Sequence, residues 1–131
     1  ELDYGTFFSD YATKWFSAIH RAPWGEIIKI STFFSLCKVK TDITKQTALT
    51  CPACNIIYFD AFAPDKQPEM WQPQLFRKLC NITARKGIIV TYSAKGQVRR
   101  DMENAGFTME KLPGPPGKKE MLRGRKIISN L

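Results

Sequence analysis

The residues able to do chemistry in this chain gather where apolar runs stop. Asn55-Ile56-Ile57-Tyr58-Phe59-Asp60 is a continuous apolar stretch closed by a carboxylate. That is the pattern of a strand buried on both faces of a parallel sheet and ending at a site. Asp42 follows an alternating apolar run, and Thr91-Tyr92-Ser93 follows another strand-like segment. Ligands of open α/β sheets sit beyond the carboxyl ends of the strands, so one rim is expected to hold two carboxylates, Asp42 and Asp60, with the phenol of Tyr92. Carboxylates so placed accept hydrogen bonds and protons.

Other chemistry-bearing types point elsewhere. Cys51-Pro52-Ala53-Cys54 has the two-residue gap that lets both thiolates reach one zinc ion, but no second pair accompanies it. Cys37, in an alternating run, and Cys80, on a helix-patterned stretch, read as small buried hydrophobes, so no metal site is expected. A thiol redox pair would open a helix after a strand, whereas this one precedes a strand. His20, the sole histidine, falls at a helix end and reads as structural. None of the eight glycines pairs with another two residues away, so no Gly-x-Gly cofactor loop is visible.

The elements that must position the rim follow from periodicity. Phe8, Tyr11, Ala12, Trp15, Phe16 and Ile19 recur at helical spacing, and the helix they imply ends near Arg21, before Pro23-Trp24-Gly25. Strands are expected at 27–30 and from Phe34 to Val39, the second closing at Thr41-Asp42, and then at 55–60. Pro73 suits the first position of a helix whose stripe is Leu75, Phe76, Leu79 and Ile82. A buried strand over 87–92 and a helix over 95–105 closed by Gly106 come next. Strands over 107–112 and 120–128 flank Pro113-Gly114-Pro115-Pro116-Gly117, the last antiparallel to its neighbour. The alternation predicts an α/β layer with a mainly parallel sheet. A domain of this class normally opens with a strand, and here a helix comes first, so the chain is expected to be the latter part of a single larger domain.

The chain has 131 residues, 44% of them hydrophobic and 12% aromatic, enough for one domain with a core. No run approaches the roughly 20 apolar residues of a membrane helix, and the first residues lack a signal peptide's pattern, so a cytoplasmic, membrane-free protein is expected. The formal charge is +8, and all the excess is C-terminal: residues 1–76 carry seven basic and eight acidic side chains, residues 77–131 thirteen and four. Such asymmetry suits a polyanion such as nucleic acid, or a solvated basic face with no ligand.

A longer motif is more specific. Tyr58-Phe59-Asp60-Ala61-Phe62-Ala63-Pro64-Asp65-Lys66-Gln67-Pro68-Glu69-Met70-Trp71 resembles the methyltransferase domain of the bifunctional tRNA 5-methylaminomethyl-2-thiouridine biosynthesis family and its single-domain relatives. Leu2-Asp3-Tyr4, Ala22-Pro23-Trp24, Thr91-Tyr92-Ser93-Ala94-Lys95-Gly96, Val98-Arg99-Arg100, Ala105-Gly106-Phe107 and Lys118-Lys119-Glu120-Met121-Leu122-Arg123-Gly124 extend the likeness over most of the chain. The family's glycine-rich loop and ribose-binding acid have no counterpart here.

The resemblance implies a partial Rossmann-like class I methyltransferase fold with an antiparallel C-terminal strand pair. It implies S-adenosylmethionine as methyl donor and methylation of the 5-aminomethyl group of the wobble uridine in a tRNA anticodon arm. A flavin-dependent oxidase, fused or separate, would be a partner. Asp42, Asp60, Ala61 and Phe62 would lie on the cofactor side; Asp42 would accept a hydrogen bond from the adenine amine, or else simply form a turn. Phe62 and Pro64 would wall the base or the adenine, and Tyr92 would touch the substrate amine or cap the core. Lys66, Lys95, Arg99, Arg100, Lys118, Lys119, Arg123 and Arg125 would meet phosphates. Methyl transfer to an amine is an in-line displacement, so positioning can supply about 7–11 kcal/mol. An alkylamine of pKa about 10 is neutral in only about a thousandth of molecules at pH 7. Asp60 is therefore expected to orient the amine first and accept its proton second, the bland alternative being a strand-end cap. A non-catalytic basic RNA-binding module is the other reading of the same residues.

Overall fold

The computed structural model describes residues 10–127, in two compact units that divide between Asp42 and Ile43. Leu2-Asp3-Tyr4, Phe8 and Ile128, used above, lie outside the described residues.

The first unit begins with helix α1 (Asp10–Arg21), which ends where the periodicity breaks. Strands β1 (Ile27–Ser31) and β2 (Phe34–Cys37) follow, joined by only Thr32 and Phe33. A two-residue connection can link only antiparallel neighbours, and Ile28 accordingly faces Leu36 in a sheet of just these two strands. Lys38 closes the unit: its ammonium donates to the carbonyl of His20 at 2.9 Å and sits 5.1 Å from the centroid of the Trp24 ring. The His20 ring packs against Phe16, tilted by 46° with the centroids 4.2 Å apart, which fits a structural histidine.

The second unit holds a four-stranded sheet in the order β3-β4-β6-β5, formed by β3 (Cys54–Tyr58), β4 (Thr83–Thr91), β5 (Phe107–Pro113) and β6 (Glu120–Lys126). A 3-10 turn (Pro68–Trp71) and helix α2 (Pro73–Ile82) carry the chain from β3 to β4, and helix α3 (Gly96–Ala105) carries it from β4 to β5. The crossover through α2 makes β3 and β4 parallel, with Ile57 opposite Ile89 and Tyr58 opposite Val90. β6 runs antiparallel to both β4 and β5. The sheet is thus mixed, with one parallel pair, and the expectation of a mainly parallel sheet is corrected. The hairpin took β1 and β2 into a sheet of their own, leaving β3 as β4's one parallel neighbour.

β4 begins at Thr83, four residues before the strand expected over 87–92, and β2 stops at Cys37 and not at Val39, while two helix signals hold. Pro73 opens α2, and α3 stops at Gly106, whose φ of 111° is the left-handed value a helix end asks for. One sheet face packs on α2 and α3 around Phe59, Leu75, Phe76, Ile89, Met102, Phe107 and Leu122. β3 departs from the doubly buried strand expected of it. It is an edge strand among the described residues, with Ile56 half exposed and Tyr58 78% exposed.

Candidate active site

Parallel β3 and β4 end on the same side, and the segments leaving them enclose a cavity of about 250 Å³. The loop after β3 contributes Asp60, Ala61, Ala63 and Pro64, and the last residue of β4 with the turn before α3 contributes Thr91 to Lys95. Lys118, between β5 and β6, and Trp71 complete the lining.

Trp71 shapes the loop. Its buried ring meets Phe59 edge to face at 5.1 Å, and its indole N–H donates to the Phe62 carbonyl at 2.7 Å. A tryptophan that packs with its ring and donates with its one N–H ties the segment after Asp60 to the core. The N–H groups of Lys66 and Gln67 both donate to the Ala63 carbonyl, tightening the same loop. On the facing side the Ser93 N–H donates to Thr91 Oγ1 at 3.4 Å.

Asp60 is exposed, and its carboxylate has no hydrogen-bond or ion-pair partner among the described residues. It borders both this cavity and an apolar recess of about 80 Å³ lined by Tyr58, Val90 and Met121. Tyr92 lines both spaces as well, and the Lys118 ammonium lies 5.6 Å from its ring centroid. The Lys95 ammonium pairs with Asp65 at 2.9 Å, linking the loop after β3 to the start of α3. That hydrogen bond holds the Asp65 carboxyl below its usual range, with the ammonium's charge adding to it.

The structure therefore brings Asp60, Ala61, Pro64, Tyr92, Lys95 and Lys118 to one cavity. Phe62 presents its carbonyl to Trp71 while its side chain is exposed. Asp42 belongs to the first unit, beyond the end of β2, so the expectation that it ends a strand of the sheet carrying Asp60 is corrected. Several basic residues expected to meet phosphates are engaged locally. Arg99 pairs with Glu103 at 2.9 Å, Arg100 donates to Gln97 at 2.8 Å, and Arg123 pairs with Glu110 on β5 at 2.7 Å. Arg125 donates to the Lys86 carbonyl at 3.2 Å. Lys66 and Lys119 are exposed. The hydrogen bond from Arg123 keeps the Glu110 carboxyl low and its own guanidinium high. The sequence reading missed Asp65 as the partner of Lys95 and Met121 as part of the recess. The first sits in the quoted motif; the second needed the strand pairing, which brings β6 alongside β4.

The lining sets a carboxylate, a phenol and two ammonium groups beside small apolar side chains. The cavity is smaller than the roughly 300–1,000 Å³ of a typical site for a drug-sized ligand, and no glycine lines it to let a larger cofactor approach the backbone. Residues 8–127 match the profile of a family described as S-adenosyl-L-methionine-dependent methyltransferase. The chain belongs to that family. Among relatives of this methyltransferase chain is the tRNA 5-methylaminomethyl-2-thiouridine biosynthesis bifunctional protein MnmC of Pseudomonas savastanoi pv. phaseolicola, 46% identical over 70 residues, 53% of this chain and 11% of the relative. Proteins of the same name from an Azoarcus species, 42% identical over 68 residues, and from Pseudoalteromonas atlantica, 43% identical over 67, cover 52% and 51% of the chain and 11% and 10% of themselves. The chain thus spans about a tenth of the length of these curated relatives. Among the described residues no helix is long and apolar enough to cross a membrane, and no group of three or more His, Cys, Asp or Glu could hold a metal ion.

Proposed function

We propose that this chain carries the acceptor side of a tRNA methyltransferase that methylates the 5-aminomethyl group of the wobble uridine, within a Rossmann-like class I fold. The observation that carries the reading is the unengaged Asp60 carboxylate on a cavity at the shared ends of β3 and β4. Family membership and the names of the relatives support the reaction class and the tRNA substrate. S-adenosylmethionine would supply a methyl group activated by its sulfonium.

The chain's own residues do the positioning. Asp60 is held by a strand end on one side and by a Trp71-anchored loop on the other. Its carboxylate accepts a hydrogen bond from the substrate amine and aims the nitrogen lone pair along the line of displacement. Being exposed, it can also pass the released proton to water. Tyr92 borders the amine; Ala61, Phe62 and Pro64 wall the base. Lys66, Lys118, Lys119 and Arg100 meet phosphates, while Lys95, Arg99 and Arg123 exchange a carboxylate for one. Exposed pairs are weak enough for that exchange. A flavin-dependent oxidase, fused or separate, acts on the same nucleoside, in keeping with relatives named bifunctional.

The test is the full-length gene product with Asp60→Ala, assayed on aminomethylated tRNA. Turnover is expected to fall by about 100-fold or more, the scale of lost alignment, with tRNA affinity unchanged. Near-normal turnover would overturn the assignment. Wild-type protein that binds tRNA yet transfers no methyl group would favour the RNA-binding module.

A further inference from the structure

Two thiols lie together away from the cavity. Cys51 and Cys54 flank Pro52-Ala53 where the chain bends into β3, and their sulfurs are 3.7 Å apart. Cys51 is exposed and Cys54 half buried. Of the other two cysteines, Cys37 is in the first unit and exposed, which corrects the buried position expected of it, and Cys80 is buried in the core.

We propose that Cys51 and Cys54 form a modification site, where a low-molecular-weight disulfide such as oxidised glutathione converts the pair into an intramolecular disulfide.

The geometry argues for this directly. A disulfide needs its sulfurs about 2.05 Å apart, so they must close by roughly 1.7 Å, a distance within reach of side-chain rotation. Residues 47–53 form neither helix nor strand, so the backbone before Cys54 has no ladder to break in adjusting. Four residues close the smallest ring in which a two-residue gap pairs thiols, and the partners are already in contact.

Exposure sets the order of events. The accessible Cys51 thiolate attacks one sulfur of glutathione disulfide, forming a mixed disulfide and releasing one glutathione thiolate. Cys54, as thiolate, then attacks the Cys51 sulfur and expels the second glutathione. Two protein thiols are oxidised and one glutathione disulfide is reduced to two thiols, the protons lost by Cys51 and Cys54 being taken up, through solvent, by the two released glutathione thiolates. Burial first, then the hydrogen bond and charge of Cys51, push the Cys54 thiol up, so Cys51 is the attacking member and Cys54 the resolving one. The same 3.7 Å spacing would also suit two thiolates on one zinc ion. However, the described residues assemble no group of three or more ligands, so a closed structural site is not built here. Unlike a thioredoxin-type centre, the pair leads into a strand, which makes it a site that is modified and not a catalyst of exchange.

The test uses the whole chain, reduced and freed of metal with a chelator, then equilibrated in glutathione buffers, acid-quenched, alkylated and mapped by mass spectrometry. Both cysteines fall on the one tryptic peptide spanning 46–66, so a bond between them is read as the loss of two hydrogen atoms from that peptide. In equimolar oxidised and reduced glutathione, more than half of the peptide is expected in that form. Cys54→Ser is expected to accumulate glutathione on Cys51, and Cys51→Ser to leave Cys54 open to alkylation. Full alkylation of both cysteines in the oxidised buffer would overturn the proposal. So would Cys51 trapped only in bonds between two chains, or in a zinc complex that resists the chelator. None of these readouts depends on methyl transfer.

Discussion

Both compact units are rich in aromatic and β-branched residues, yet they use them in opposite ways. In the second unit Phe59, Phe76, Ile89, Met102, Phe107 and Leu122 are buried, because two helices lie on one face of a four-stranded sheet and make two layers around a shared core. In the first unit Ala22 is the one hydrophobic residue that is buried among the described residues, while Tyr11, Trp15, Trp24, Ile27 and Phe33 are exposed, Phe33 by 98%. The described part of this unit, a two-stranded hairpin and one helix, offers too few faces to close a core. Hydrophobic period therefore tells which face of an element is apolar, and the number of layers decides whether anything covers it.

That contrast can be broken by substitution. Phe76→Ala removes a ring with no exposed surface, and is expected to destabilise the second unit by about 3–5 kcal/mol in chemical denaturation. Trp15→Ala, in the first unit, is expected to change stability by less than about 0.5 kcal/mol. Equal losses from the two would show that the first unit has a core after all.

A smaller effect sharpens the same contrast within the sheet. An added methyl at Gly87 would stand 2.9 Å from the carbonyl oxygens of both Cys54 and Ala84, and 2.7 Å from Thr83 Cγ2. This is where the β3–β4 register shifts and where the neighbouring Lys86 adopts a φ of 60°. Gly87→Ala is expected to cost about 1–3 kcal/mol and to speed amide exchange along β3 ahead of β6. Uniform exchange across the sheet would mean that the close approach is not what joins β3 to β4.

The smallest expected effect is electrostatic. Asp65, Glu110 and Glu120 each have a carboxyl lowered chiefly by a hydrogen bond from Lys95, Arg123 and Lys111 respectively. A lowered folded-state value means that their contribution is fully present above the ordinary carboxylate range, whose reference values are 3.8 for Asp and 4.5 for Glu. It is lost as pH falls through the lower folded values. The melting temperature is expected to vary little with these groups from neutrality down to about pH 5, then to fall, and about 0.5 M salt should shrink the drop because the pairs are exposed. A drop that salt leaves intact would point to buried carboxylates instead.

Much of the local structure was legible. Pro73 and Gly106 marked a helix start and a helix end because one has no N–H to leave unsatisfied and the other no Cβ to oppose a left-handed turn. Asp60 and Tyr92 were placed at strand ends from their apolar runs, and the structure sets both on one cavity. Asp42 was misplaced for want of one inference: a two-residue link between β1 and β2 forbids a parallel sheet there. The basic residues were legible as a surplus, while their partners were not. Glu110 meets Arg123 only because β5 and β6 pair in that register, and Asp65 meets Lys95 only because β3 and β4 end side by side.

By itself the sequence determined the type and order of the elements, a helix start at Pro73 and a helix end at Gly106, and the motif whose resemblance led to the methyltransferase family, since these depend on residues near one another along the chain. Strand pairing, the exposed edge of β3, the cavity beside Asp60 and the contact of Cys51 with Cys54 were decided by the tertiary structure. The strand order and the cavity bring together segments tens of residues apart, and the thiol contact rests on the geometry of a bend. No local pattern encodes which pairing buries the most apolar surface.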